Sequence, residues 1–86
     1  MPFLYVIFSE RLGYYYKGVT DDITRRLNDH NTGRNQSTAG KGPWKLVFLR
    51  TYSSSSLALR EEKRLKRTNT HYLLWYISQP FNELNK

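Results

Sequence analysis

At 86 residues the chain has room for one domain and a modest core. With no cysteine it can hold neither a disulfide framework nor a thiolate metal site, which suits a reducing cytoplasm. Fourteen Lys and Arg stand against seven Asp and Glu, a net charge of +7 that favours polyanionic partners, nucleic acid foremost. The apolar opening over residues 2–8 has no basic flank, no small-residue cleavage site and too little length to span a bilayer. Neither a signal segment nor a membrane anchor is expected.

Residues 3–9, FLYVIFS, are β-branched and aromatic throughout and predict a buried first strand. A turn over 10–13 ends in Gly13, which can take a positive φ. Residues 14–20, YYYKGVT, return as the second strand of a hairpin. Asp21 or Asp22 can cap a helix over about 22–31, ended by Gly33 at the usual place after the last turn. On that helix Ile23 and Leu27 form the apolar stripe, and Arg26 and His30 fall within the same third of the circumference. An arginine and an imidazole therefore sit where helix meets sheet, just after a tyrosine-bearing strand. That placement is the first hint of a site.

Residues 34–45, RNQSTAGKGPWK, predict a mobile surface loop. Its Gly40-Lys41-Gly42 lacks the spacing and the Ser/Thr of a Walker phosphate cradle, although Arg34, Lys41 and Lys45 can still touch phosphates. Residues 46–52, LVFLRTY, predict the third strand, with Trp44 packing over the sheet edge. Serines 53–56 offer N-caps to a second helix over about 55–67. One sector of it gathers Arg60, Lys63, Arg64 and Arg67, while Leu57, Ala58 and Leu65 face away. Glu61 and Glu62 share or border the apolar sector. Either would pair along the helix, as Glu62 with Lys66, or line a cleft as a metal ligand, and the wheel does not choose between them. Residues 72–77, YLLWYI, predict a short third helix stopped by Pro80, followed by a loose tail over 82–86. The order β-β-α-β-α-α predicts an α/β (α+β) sandwich, a three-stranded antiparallel sheet flanked by helices. Residues 1–80 form the domain and 81–86 the C-terminal tail.

Taken together, these residues resemble the GIY-YIG nuclease superfamily from Phe3 to about Ile77. Phe3-Leu4-Tyr5 stands where the family has GIY, and Tyr16-Lys17-Gly18 where it has YIG. Arg26 matches the family arginine, His30 the histidine one turn later in some members, and Glu62, four residues after Ala58, the metal-binding glutamate. HNTG, GKGPWKLV and ALREEKRLKR are similar to the small stand-alone bacterial members, relatives of the nuclease domain of the excision-repair subunit UvrC. The chain departs from the pattern in three places. The first motif keeps only its tyrosine, Lys17 replaces an apolar residue, and Val19 stands where the repair enzymes carry a lysine.

The resemblance implies a cytoplasmic endonuclease that hydrolyses phosphodiester bonds in DNA, in repair or recombination, with RNA as an alternative substrate. It implies one divalent metal, Mg²⁺ or Mn²⁺, held by Glu62 with waters and substrate oxygens. Arg26 would neutralise charge on the reacting phosphate. Tyr16 would orient or deprotonate the attacking water, Tyr5 would hold water or phosphate, and His30 would relay a proton. Lys17, Arg34, Lys41, Arg60, Lys63, Arg64 and Arg67 would hold the nucleic-acid backbone. The competing readings are a non-catalytic nucleic-acid binder that retains the fold and a protein-interaction module using exposed aromatics.

Overall fold

Strand β1 (Phe3–Ser9) is the middle of a three-stranded antiparallel sheet, with β2 (Tyr14–Thr20) on one side and β3 (Lys45–Thr51) on the other. The computed structural model describes residues 1–85. The unbroken apolar run of β1 explains its central place: Leu4 to Ile7 are all buried, so both faces of this strand must be covered. Leu4 and Val6 join Phe48, Leu65, Leu73 and Tyr76 on one face, while Tyr5 and Ile7 join Trp44 on the other. Helix α1 (Ile23–Asn31) closes the Tyr5 face, and α2 (Ser55–Leu65) with α3 (Thr70–Ile77) closes the opposite one. The order β-β-α-β-α-α and the α+β class match the sequence pattern. No helix among the described residues is long and apolar enough to cross a membrane.

Each helix begins on a side-chain cap that satisfies an otherwise unpaired backbone N–H. Asp22 accepts from the Arg25 amide at 3.1 Å, Ser54 from Leu57 at 3.3 Å and Asn69 from Tyr72 at 2.8 Å. The Asn69 cap starts α3 two residues before its apolar run, and α2 stops two residues short of the expected Arg67. Gly33, at φ +79°, closes α1 as its sequence position predicts. One irregularity was hidden in the pattern: Val6 pairs with Phe48 but Ile7 with Leu46, so Val47 is the extra residue of a bulge in β3.

Two expectations are corrected. The segment 34–45 is pinned rather than mobile. Ser9 donates to the Lys41 carbonyl at 2.7 Å, and Arg11 donates to the Gly40 and Gly42 carbonyls at 2.6 and 3.1 Å. Trp44 sits beneath this loop, buried, with its Nε1–H donating to the Thr38 carbonyl at 3.3 Å. The hairpin thus supplies the partners that a surface loop would otherwise find in water.

The stretch after Pro80 is not a loose tail either, because its polar side chains complete the outer edge of β3. Asn82 is fully buried; its amide donates to the Val47 and Ile77 carbonyls at 3.0 and 2.9 Å and accepts from the Leu49 amide at 3.2 Å. The Glu83 carboxylate, in a 3-10 turn (Glu83–Asn85), takes the Thr51 amide and hydroxyl. Lys86, the last residue of the expected tail, lies outside the described residues. Asn82→Ala leaves the Leu49 amide and the Val47 carbonyl without partners, and is expected to cost about 2–3 kcal/mol of unfolding free energy. Urea denaturation measures it, and an unchanged midpoint would refute this account of the edge.

Candidate active site

The register of the hairpin sets Tyr5 directly across from Gly18. The Tyr5 ring lies over that glycine, whose missing side chain is the space it occupies: a Cβ there would overlap the Tyr5 hydroxyl and ring. Tyr5 can therefore cross the backbone of the edge strand while staying buried. Gly18→Ala must push the ring out of place, at a cost of about 1–3 kcal/mol from overpacking. The variant is expected to lose stability on denaturation together with the hydrogen bond described next; wild-type stability would count against it.

The Tyr5 hydroxyl meets His30 Nε2 at 2.7 Å, and His30 Nδ1 meets the Thr38 hydroxyl at 2.7 Å. All three residues are buried. With the Thr38 hydroxyl turned to the Asn35 carbonyl at 3.4 Å, Nδ1–H donates to Thr38 and Nε2 accepts from Tyr5. Burial pushes the His30 pKa down to about 4, with the charge of Arg26 adding to the effect. At neutral pH it is an uncharged imidazole. Burial likewise pushes the Tyr5 phenol up to about 12, although the Arg26 guanidinium beside it pulls the other way. Tyr16, partly buried, stands beside the same imidazole with ring centroids 5.0 Å apart. His30 is thus the buried residue of α1 rather than a group on the margin of its stripe. Its imidazole needs no water because two hydroxyls satisfy both nitrogens.

The two glutamates left open by the helical wheel separate cleanly. They flank the buried pair Ala58 and Leu65 on opposite sides, about 100° apart. Glu61 turns toward α3, where Arg64 grips it two-pronged at 2.7 and 2.8 Å and the Tyr76 hydroxyl donates to it at 2.7 Å. Those Arg64 hydrogen bonds hold its carboxyl below the usual range. Glu62 lies on the other side of the stripe, and its charge adds slightly to the upward shift of the Tyr5 hydroxyl. Its ion-pair partner is Lys66 Nζ at 3.5 Å. Tyr5, Tyr16, Arg26 and His30 thus meet beside β2, and the Glu62 charge acts on the same Tyr5 hydroxyl.

No group of three or more His, Asp or Glu that would cage a metal exists among the described residues. The donor set at Glu62 fits a hard cation that takes one carboxylate and fills its shell with water and phosphate oxygens. It does not fit a zinc-type cage of several protein ligands.

The expected backbone contacts lie elsewhere. Lys17 is on the α2 face of β2, where burial and the neighbouring Lys66 charge lower its pKa. Arg34 is exposed beyond α1, 3.9 Å from Asp29, and Lys41 lies over the Tyr14 ring at 5.8 Å. Arg60 and Arg64 sit about 160° around α2 from Glu62 and look away from the site, Lys63 lies about 100° round, and Arg67 stands just past the helix end. Arg64 is committed to Glu61. One residue of the site escaped the sequence reading, Thr38, whereas the Glu62–Lys66 pairing it offered is present at 3.5 Å. Thr38 sits in a polar stretch with no periodicity; a Thr eight residues after a stripe-flanking His is too weak a signal.

The model of the GIY-YIG catalytic domain matches residues 1–73. A UPF0213 protein of Streptococcus agalactiae is 39% identical over 72 residues, covering 83% of this chain and 82% of its own length. A UPF0213 protein of Aeromonas hydrophila is 32% identical over 79 residues, covering 91% of this chain and 57% of its own. The solution NMR structure of a UPF0213 protein from Bacillus halodurans superposes with a TM-score of 0.62 at 26% identity, covering 99% of this chain and 92% of that one.

Proposed function

The chain belongs to the GIY-YIG family, and on that premise we propose that it is a divalent-metal-dependent endonuclease hydrolysing phosphodiester bonds in DNA, in cytoplasmic repair or recombination. The observation that carries this reading is one oxygen. The Tyr5 hydroxyl, buried over Gly18, is held by His30 and lies within the reach of both the Arg26 and the Glu62 charge.

In the hydrolysis a water oxygen bonds to phosphorus while the bond to the leaving alkoxide breaks. The water gives up one proton and the alkoxide gains one. Tyr16, partly exposed at the strand edge, orients the water through its hydroxyl. Tyr5 keeps its own proton well above neutral pH, so it serves as a fixed hydrogen-bonding group instead of the base. Neutral His30 positions it. Arg26, forked and always charged, compensates the charge that builds on the phosphate oxygens. Glu62 would hold the Mg²⁺ or Mn²⁺, whose charge when bound polarises a phosphate oxygen and steadies the leaving alkoxide. Lys17, Arg34 and Lys41 add affinity for the backbone without sequence preference.

Nicked or branched duplex DNA incubated with the protein is expected to be cut with Mn²⁺ or Mg²⁺ and to stay intact in EDTA. Binding should weaken with salt, by about 0.9 in log K per log salt for each phosphate contact. Binding without cleavage in either metal would sink the enzyme reading and leave the nucleic-acid binder.

A further inference from the structure

The outer side of α2 carries a hollow of about 470 Å³ lined by Arg60, Lys63, Arg64, Arg67 and Thr68. Arg60, Lys63 and Arg67 have no acidic partner among the described residues. With Arg64 neutralised by Glu61, three unpaired like charges round one hollow repel each other, and a polyanion relieves all of them at once. Arg64 forms the rim toward α3. Fixed by Glu61, it lies over the Tyr72 ring at 5.4 Å and donates to the Tyr72 hydroxyl at 3.2 Å. Tyr72 in turn packs against Trp75 with centroids 5.4 Å apart and planes 38° from parallel. Trp75 remains half exposed, with Leu74 beside it exposed to the same degree. The cationic hollow thus borders, through Arg64, an aromatic pair whose Trp75 ring is half exposed.

We propose that this outer face of α2 and α3 binds single-stranded nucleic acid, the backbone on Arg60, Lys63 and Arg67 and bases stacked on the Tyr72–Trp75 shelf. Paired bases hide their faces inside a duplex, so only an unpaired strand uses both halves of the surface. Stacking on an aromatic also tolerates any base, which fits a surface that offers charge and ring faces in place of a base-edge code. An acidic peptide would satisfy the charges but leave the shelf bare. The face lies on the opposite flank of α2 from Glu62. If the preceding reading holds, it would select substrates that carry a single-stranded arm.

The test uses the whole protein in EDTA, so that cleavage plays no part, with oligothymidylate of about 12 nucleotides as the probe. The protein has two tryptophans, and Trp44 is only 4% exposed against 50% for Trp75. Addition of the oligonucleotide is therefore expected to quench tryptophan emission, and Trp75→Phe should abolish most of that response. Trp75→Ala should weaken binding by at least about fivefold. Replacing Arg60, Lys63 and Arg67 by Ser should lower the salt slope by about 2, at roughly 0.7 per contact. All four residues are exposed, so these variants keep the fold, which circular dichroism verifies. The proposal is overturned if oligothymidylate binds without quenching, or equally well to Trp75→Ala, or not at all. Quenching in a protein that cuts nothing would leave this inference standing and remove the nuclease reading instead.

Discussion

Arg26→Ala is expected to slow phosphodiester cleavage by about 10²–10³-fold, the usual cost of removing one preorganised donor from a developing charge. The side chain is available for that task because its intramolecular pairing is weak: Asp29 lies 4.0 Å away, and a third of the arginine is exposed. An ion pair of that length and exposure contributes little to the fold, so the variant should denature like the parent. Arg26→Lys keeps the charge but loses the planar fork, and should recover only part of the rate. Single-turnover cleavage of a labelled nicked duplex, with affinity measured separately in EDTA, distinguishes a lost transition-state contact from lost binding. Glu62→Gln should behave alike, while Glu61→Gln should loosen the α2–α3 contact through Arg64 and Tyr76 and leave the chemistry in place. Robust cleavage by both Arg26→Ala and Glu62→Gln would show that the wrong residues have been assigned.

Acid is expected to weaken the fold through one imidazole. In the unfolded chain His30 takes up its proton near its ordinary value of about 6.5. In the folded protein it resists until about pH 4. The unfolded state therefore binds more protons through that window, and stability is present above pH 6.5 and falls as the pH drops toward 4. A displacement of this size corresponds to about 3 kcal/mol when complete, a large share of the 5–15 kcal/mol that holds a typical domain together. Urea unfolding at pH 7 and pH 5, before most carboxylates titrate, should show the loss in wild type. His30→Gln should start less stable and change less between the two. Parallel pH dependence in the two proteins would mean that His30 is not held neutral.

Much of this architecture was legible because local chemistry announces it. Asp22 and Ser54 cap their helices, Gly33 closes the first, and the continuous apolar run of β1 marks a strand covered on both sides. Arg26 and His30 were drawn to the sheet side by their spacing from Ile23 and Leu27. What stayed hidden depends on contacts between distant parts of the chain. A wheel places Glu61 and Glu62 symmetrically about Ala58 and Leu65, and only the positions of α3 and β2 tell which carboxylate is consumed by Arg64. Thr38 and Asn82 look like ordinary loop polars, yet each is buried because a distant group needs its hydrogen bonds. The bulge at Val47 likewise leaves no mark in a strand that alternates poorly.

A sheet of three strands has two rims, and here they have opposite fates. One, at β2, is where the tyrosines and charges gather; the other, at β3, is sealed by the Asn82 amide and the Glu83 carboxylate acting as a counterfeit fourth strand. Unsealed, that rim would offer the Leu49 and Thr51 amides as a rail for extended segments of other molecules. Shortening the chain before Asn82 should therefore do more than loosen the molecule: it should let copies polymerise through their own backbones.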